Sequence, residues 1–415
     1  MKTGKKAKWT FMVYMAGDNN LSSAGEKDIG EMRSVGSTDA VNIVVEFDRI
    51  GNAHETKRYH IQPNGVNEHT KSLGETDSGD PKVLLKFLEW AAKNYKADHY
   101  GLVLWNHGGG WVPDEMDKVA RSVDAVNYNQ REANERSSSS LGRVLFRTTL
   151  ETIFEIPSVQ ERAILSDDGS GHSLDTVELG KVLAKAVKMF GQKLDLLGMD
   201  ACLMSNLEVA YQAQDYVNYS VASEENEPNN GWPYDKVLAE LVHNPDMPTA
   251  DLARHIVTAY VKFYTDQAYS GSVTQAALDL AQVEVLAQPL DALADVLIPK
   301  MSTGKYWLGE ALYKTQAHFR NGTLWDVAEM CEHLAAETDD TDVRKAAKKV
   351  LKKLQPQNAD FVIAEGHYGS KVERCGGITI YLPPRILHQI SPYYKEVAYA
   401  QNHKWSKLLK KYHKA

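Results

Sequence analysis

The sequence predicts an α/β fold, a mostly parallel central sheet flanked by helices, with a mainly helical C-terminal extension. Two observations carry this. Through the first half of the chain, apolar runs of strand length alternate with amphipathic helix patterns, as in a parallel sheet covered by helices. From Val283 to Leu354 the chain reads as mostly helical, beginning with the apolar series Leu286, Leu290, Leu293 and Leu297. The expected domains are a core over residues 1–280 and a C-terminal subdomain over 281–415. The latter ends in a strand at 376–382, stopped by Pro383-Pro384 as an edge strand would be.

Trp9–Met15 reads as the first strand and stops at Gly17-Asp18-Asn19-Asn20-Leu21, a turn into a polar helix over Ala24–Met32. The plain role for Asp18 and the two Asn is an Asx turn or helix cap. Val41–Phe47 and Thr56–Ile61 follow as strands. Asp80-Pro81 supplies an N-cap and first-turn proline for a helix with Leu84, Phe87, Leu88, Ala91 and Tyr95 on one face. Leu102–Trp105 is the next strand, running into His107 and three glycines. A long polar insertion over 112–162 comes next, read as a surface loop. It carries several arginines and the run Ser137–Ser140. Order returns at Arg162–Ser166, and Asp175–Met189 reads as a helix. Leu194–Asp200 is a buried strand, and from Leu203 the residues Leu203, Leu207, Ala210 and Tyr211 repeat at helical spacing. Tyr216–Ala222 and Ser272–Asp279 are further strands, and Asp251–Gln267 a further helix.

The 415 residues suffice for one large domain or two ordinary ones, and 43% hydrophobic with 25% charged residues is a globular composition. A formal net charge of −8 gives no footprint for nucleic acid. No apolar run has the length of a membrane helix. Three cysteines without metal-type spacing argue against a disulfide framework or a Cys zinc site, and no metal site is expected. The basic start passes into a short apolar run with no cleavage signal, so the chain as written is expected to be cytoplasmic. It would be secreted or periplasmic if a leader has been trimmed.

Two strand ends carry the chemistry. Cys202 stands where the Leu194–Asp200 strand gives way to the helical pattern, and a helix N-terminus there would favour thiolate over thiol. The plain reading of a lone cysteine is a small buried hydrophobe. His107, at the end of another strand, shifts the balance, because a thiol and an imidazole at neighbouring strand ends make a nucleophilic site. In that reading Cys202 attacks a carbonyl, His107 protonates the leaving amine, and the backbone N–H groups of Gly108 and Cys202 form the oxyanion hole. Asp200 has three readings: orienting His107, pairing with a cationic side chain in a pocket, or capping the next helix. The stretch Ser223–Tyr234, acidic and aromatic, suits a pocket wall with Glu224 and Trp232 as substrate contacts; a plain connecting loop is the alternative. The arginines of the insertion are natural cleavage sites. His107-Gly108-Gly109-Gly110 also matches the oxyanion motif of serine esterases, but no Gly-x-Ser-x-Gly elbow follows. No Walker-type glycine loop is present either.

These residues resemble the clostripain family, the C11 cysteine endopeptidases, which share the caspase–haemoglobinase fold. The matching segments are Val13–Leu21, Phe47-Asp48-Arg49, Trp105–Trp111, Met199–Met204, Ser223-Glu224-Glu225 with Gly231–Tyr234, and Gly377–Pro383. The resemblance implies a caspase-like sandwich, a Cys202/His107 dyad, and Asp200 in the specificity pocket. It implies cleavage of peptide or protein substrates after Arg, less readily Lys. It further implies self-cleavage between His107 and Cys202, the two pieces staying associated; Arg136 is the first candidate site, with Arg131 and Arg147 as alternatives. No cofactor is required by this reading. Calcium helps some members of the family, although no calcium loop is recognisable here. Relatives are often secreted, and the insertion is long, so its cleavage site does not carry over. The rival class is a non-catalytic caspase-fold protein that uses the crevice to bind peptides or to scaffold. A Cys amidase or transpeptidase is the third.

Overall fold

The computed structural model describes residues 6–19, 21–50, 55–66, 68–106, 108, 110–111, 174–319, 322–355, 360–385 and 389–415. His107, the 112–162 insertion with Arg131, Arg136 and Arg147, and the segment 162–166 where order was expected to return lie outside them. The chain divides into two compact units: Met1–Cys202 with Pro228–Pro248, and Leu203–Glu227 with Thr249–Ala415.

The elements of the first unit begin with β1 (Ala7–Gly17), α1 (Ser22–Val35), β2 (Val41–Arg49), β3 (Thr56–His60) and β4 (His69–Gly74). They continue with α2 (Pro81–Asn94), β5 (Ala97–Trp105), α3 (Thr176–Phe190) and β6 (Leu194–Asp200). Its strands lie in the order β6-β5-β1-β2-β3-β4. The four from β6 to β2 are parallel, and β3 and β4 continue as antiparallel strands. Every residue of β6 is buried, and only Lys8 of β1 is exposed, as parallel strands covered on both faces require. The helices follow their sequence signals. Asp80 caps α2 by accepting from Lys82 N–H, with Pro81 in the first turn, and Leu84, Phe87, Leu88 and Ala91 are buried. Asp175 and Glu178 form a reciprocal capping box at the start of α3.

The chain then enters the second unit for α4 (Leu207–Ala213) and β7 (Val217–Ala222). It returns to the first for α5 (Tyr234–His243), and leaves again at α6 (Thr249–Asp266). The second unit adds β8 (Val273–Asp279), α7 (Glu284–Leu297), α8 (Met301–Lys314), β9 (His318–Phe319), β10 (Leu324–Asp326), α9 (Val327–Glu337) and α10 (Thr341–Leu354). It ends with β11 (Val362–Tyr368), β12 (Thr379–Tyr381), α11 (Ala398–Asn402) and α12 (Trp405–Lys414). Here β7, β8 and β11 are antiparallel neighbours, and β12, β10 and β9 form a small antiparallel sheet.

The boundary expected at residue 280 is therefore not where the units divide. Residues 203–227 belong with later sequence because β7 pairs with β8, Tyr219 opposite Asp279. The mainly helical C-terminal part also carries β9, β10 and β11 before its last strand. β11 was hidden by its composition: Val-Ile-Ala-Glu-Gly-His-Tyr is half-exposed along almost its whole length and shows no alternation.

Candidate functional site

β5 and β6 run side by side in parallel, with Gly101 opposite Leu196 and Trp105 opposite Asp200. Both carboxyl ends therefore open at one level, where ligands of parallel sheets bind. Just past them the backbones meet. Asn106 N–H donates to Asp200 C=O at 3.3 Å. Gly108 lies so close to Cys202 that a methyl group in its place would fall 1.9 Å from Cys202 O and 2.5 Å from Cys202 N. Only a residue without a side chain fits there. The residues on both sides of His107 are thus held against the Asp200–Cys202 segment.

Cys202 is half-buried. It does not stand at a helix N-terminus, as the spacing from Leu203 suggested. Residues 201–203 form a bend and turn, Leu203 has φ +65°, and α4 begins only at Leu207. Its cap is Asn206, which accepts from Glu208 and Val209 N–H. Leu203, Leu207, Ala210 and Tyr211 are all buried, so the spacing marked the apolar face correctly but not the first turn. The left-handed backbone of Leu203 costs about 1–2 kcal/mol for a residue with a Cβ. The other two thiols, Cys331 and Cys375, are buried, and burial pushes both well above the ordinary cysteine range.

Asp200 closes β6 with its carboxylate buried. Oδ2 accepts from Tyr234 Oη at 2.9 Å and from Trp232 N at 3.3 Å. Gly231, at φ +54°, passes so near that a Cβ on it would sit 3.0 Å from either carboxylate oxygen. The helix-cap reading of Asp200 thus gives way to Asn206. Trp232 contributes its backbone N–H, while its indole is wholly buried over Gly198 of β6, where a Cβ would lie 2.8 Å from the ring. Glu224 belongs to the second unit. It is wholly buried, and Oε2 accepts from Gly377 N at 3.0 Å, beside Asp326, whose Oδ2 accepts from Gly376 N. Burial, reinforced by the Asp326 carboxyl, raises Glu224 far above the usual carboxylate range. Both side chains are buried, as is that of Asp200.

Sequence reasoning passed over Asp28. On α1 it sits on the buried stripe with Gly25, Ile29 and Met32, and an acid on an apolar stripe was the available signal. Its Oδ2 accepts from Trp105 Nε1 at 2.7 Å. Burial first, and the Asp200 carboxylate second, push Asp28 up to about 9, against the Trp105 hydrogen bond. Glu31, one turn on, accepts from Tyr234 N at 3.1 Å and pairs with Lys27 at 3.3 Å; it too is raised, chiefly by burial. An acid that stays protonated when folded but ionises when unfolded makes stability fall as pH rises. The melting temperature should therefore decline with pH up to about 9, and Asp28→Asn should flatten that decline. Asp28→Ala should cost about 1–3 kcal/mol by stranding the Trp105 N–H. Thermal melts of the three proteins between pH 5 and 10 check this; parallel curves for wild type and Asp28→Asn would refute it.

Among the described residues, no group of three or more His, Cys, Asp or Glu side chains is placed to hold a metal ion, and no helix is long and apolar enough to cross a membrane.

The sequence profile of the clostripain family, peptidase family C11, matches residues 13–145 and 154–412. The chain belongs to this family. Clostripain of Hathewaya histolytica is 31% identical over 231 residues, which are 50% of this chain but only 36% of that protein. Two solved structures match along nearly all of both chains. An inactive zymogen C11 protease from Parabacteroides distasonis aligns at TM-score 0.65 and 19% identity, covering 96% of this chain and 98% of that one. A secreted C11 cysteine protease from Bacteroides thetaiotaomicron, in complex with an irreversible peptide inhibitor, aligns at 0.62 and 18%, covering 96% and 99%. At these identities the likeness is one of fold, and this clostripain-family chain has the caspase-like α/β architecture that the sequence predicted.

Proposed function

We propose that this chain is a cysteine endopeptidase that cleaves peptide bonds after arginine, and less readily after lysine. The observation that carries this is the contact of Gly108 with the Cys202 backbone at the paired ends of β5 and β6, in a chain of a peptidase family. Cys202 attacks the scissile carbonyl as thiolate, forming a thioester as the C–N bond breaks, and His107 gives its proton to the leaving amine. Water then attacks the thioester, His107 takes the water's proton, and the carboxylate product leaves with the thiolate restored. The N–H groups of Gly108 and Cys202 face the developing oxyanion. Asp200 reads the basic side chain, supported by a carboxylate that Tyr234 and Trp232 hold in one orientation. Self-cleavage within 112–162, at Arg136, Arg131 or Arg147, matures the enzyme, and the pieces stay associated. The fold shared with a protein described as an inactive zymogen supports that step.

Blocked peptide amides ending in Arg, Lys, Asp or Leu test this reading. The expected order is Arg above Lys, with Asp and Leu unreleased. Asp200→Asn should lower release of the Arg amide by about 30-fold to 5,000-fold, the range for removing one partner of a buried charge pair. Equal release from Leu and Arg would remove the acidic pocket. Release of none, even after trypsin nicking between 112 and 162, would make the crevice a peptide-binding module.

A further inference from the structure

The turn between β1 and α1 holds a side chain that the peptidase reading leaves unused. Asn19 is wholly buried. Its Oδ1 accepts from Leu21 N at 2.8 Å, the Asx turn expected of this sequence. Its Nδ2 does something that turn does not need. It donates to Ala16 O at 3.0 Å and to Asn106 Oδ1 at 3.1 Å, 87 residues away. Asn106 is buried too, and its own N–H donates to Asp200 O. One amide therefore ties the end of β1, the start of α1 and the residue before His107 together, and through Asn106 reaches the strand that ends at Asp200. Buried side chain–side chain hydrogen bonds are a minority, and an aspartate would serve the turn as well, a serine more weakly. The turn explains the acceptor; the donor points to the neighbouring strand end.

We propose that Asn19 is a positioning residue that sets Asn106, and with it Gly108, against Cys202. This rests on the peptidase reading for its consequence. With Gly108 packed on the Cys202 backbone, there is no slack between the two segments, and a shift of about 1 Å in a reacting pair costs about a hundredfold in rate. Asn19 acts through Asn106, whose side chain it holds by a hydrogen bond.

Asn19→Ser is the test, since its hydroxyl keeps an acceptor for the turn, adds no charge and is too short to reach Asn106. Its kcat on the Arg amide should fall about 10-fold to 100-fold with KM within about twofold. Asn106→Ala should show the same split, and the double variant should lose no more than the worse single one. The pH profile of Cys202 alkylation by iodoacetamide gives a second readout, expected to shift in both variants and independent of any peptide substrate. Losses that multiply in the double variant, or an Asn19→Ser enzyme with kcat within twofold of wild type, would overturn the proposal. If Asn19→Ser does not fold, Asn106→Ala alone decides by the same split. A wild type that cleaves no amide defeats the peptidase reading instead, and the alkylation profiles then judge Asn19: superimposable curves would overturn it.

Discussion

In Cys202→Ala, hydrolysis of an arginine amide should fall about ten-thousand-fold or more, because in the proposed mechanism the thioester forms on the Cys202 sulfur. What survives would come from oxyanion stabilisation and binding alone. The loss should not be one of folding. Cys202 lies half-buried in a turn, and truncating such a side chain costs within about 1 kcal/mol. The remaining cysteines supply the control. Cys331 and Cys375 are buried with their thiols held protonated by burial, and belong to the second unit. Their alanine variants should be less stable but keep hydrolysis per folded molecule. A thiol-reactive arginyl peptide should accordingly label wild type once, at Cys202, and leave Cys202→Ala untouched. Label on another residue, or a tenth of the activity left in Cys202→Ala, would dismiss Cys202 as nucleophile.

The residues that made this legible were those whose local chemistry and tertiary role agree. Asp80-Pro81 and Asp175 announced α2 and α3 because capping is settled within four residues. The run ending at Asp200 announced a strand because burial on both faces keeps it mostly apolar, with Asp195 accepting from Tyr100 N–H. The first turn of α4 was misread because Leu203 has the right spacing for a helix and the wrong backbone. The true start is set by Asn206, which caps α4 by accepting from Glu208 and Val209 N–H. Asp28 and Asn19 were illegible in their roles for a different reason. Each is defined by a partner 77 or 87 residues away, Trp105 and Asn106, and nothing in the local sequence selects that partner. Trp232 and Glu224 read as pocket residues because aromatic and acidic side chains in a turn-rich loop commonly are. Their burial was not legible, because Gly198 makes room for the indole and Gly377 N–H donates to the carboxylate, both from distant sequence. The unit boundary escaped for the same cause as β11: strand partnership is non-local, and a linear reading assigns neighbours by sequence.

Gly108→Ala should be as damaging to the site as loss of the thiol is to the chemistry, and by a different route. The added methyl would lie 1.9 Å from Cys202 O, 2.5 Å from Cys202 N and 2.7 Å from Cys202 C. All three are backbone atoms, so no flexible side chain end can yield, and relief must come from moving the ends of β5 and β6 apart. That movement would pull against Asn106 N–H on Asp200 O and the pairing of Trp105 with Asp200. Overpacking of this kind costs about 1–3 kcal/mol in stability. The expected result is a lower melting temperature together with at least about a hundredfold loss of hydrolysis, since the oxyanion donors and the reacting pair are displaced together. Gly30 on α1 separates this from any general effect of adding a methyl group. Nothing lies within 4 Å of a Cβ there, so Gly30→Ala should stabilise the helix by about 0.4–1 kcal/mol and leave hydrolysis alone. Kinetics and melts of the two variants compared with wild type would decide. A Gly108→Ala enzyme with wild-type turnover would mean that the His107 and Cys202 segments do not meet as closely as Gly108 requires, and the dyad would lose its geometric support.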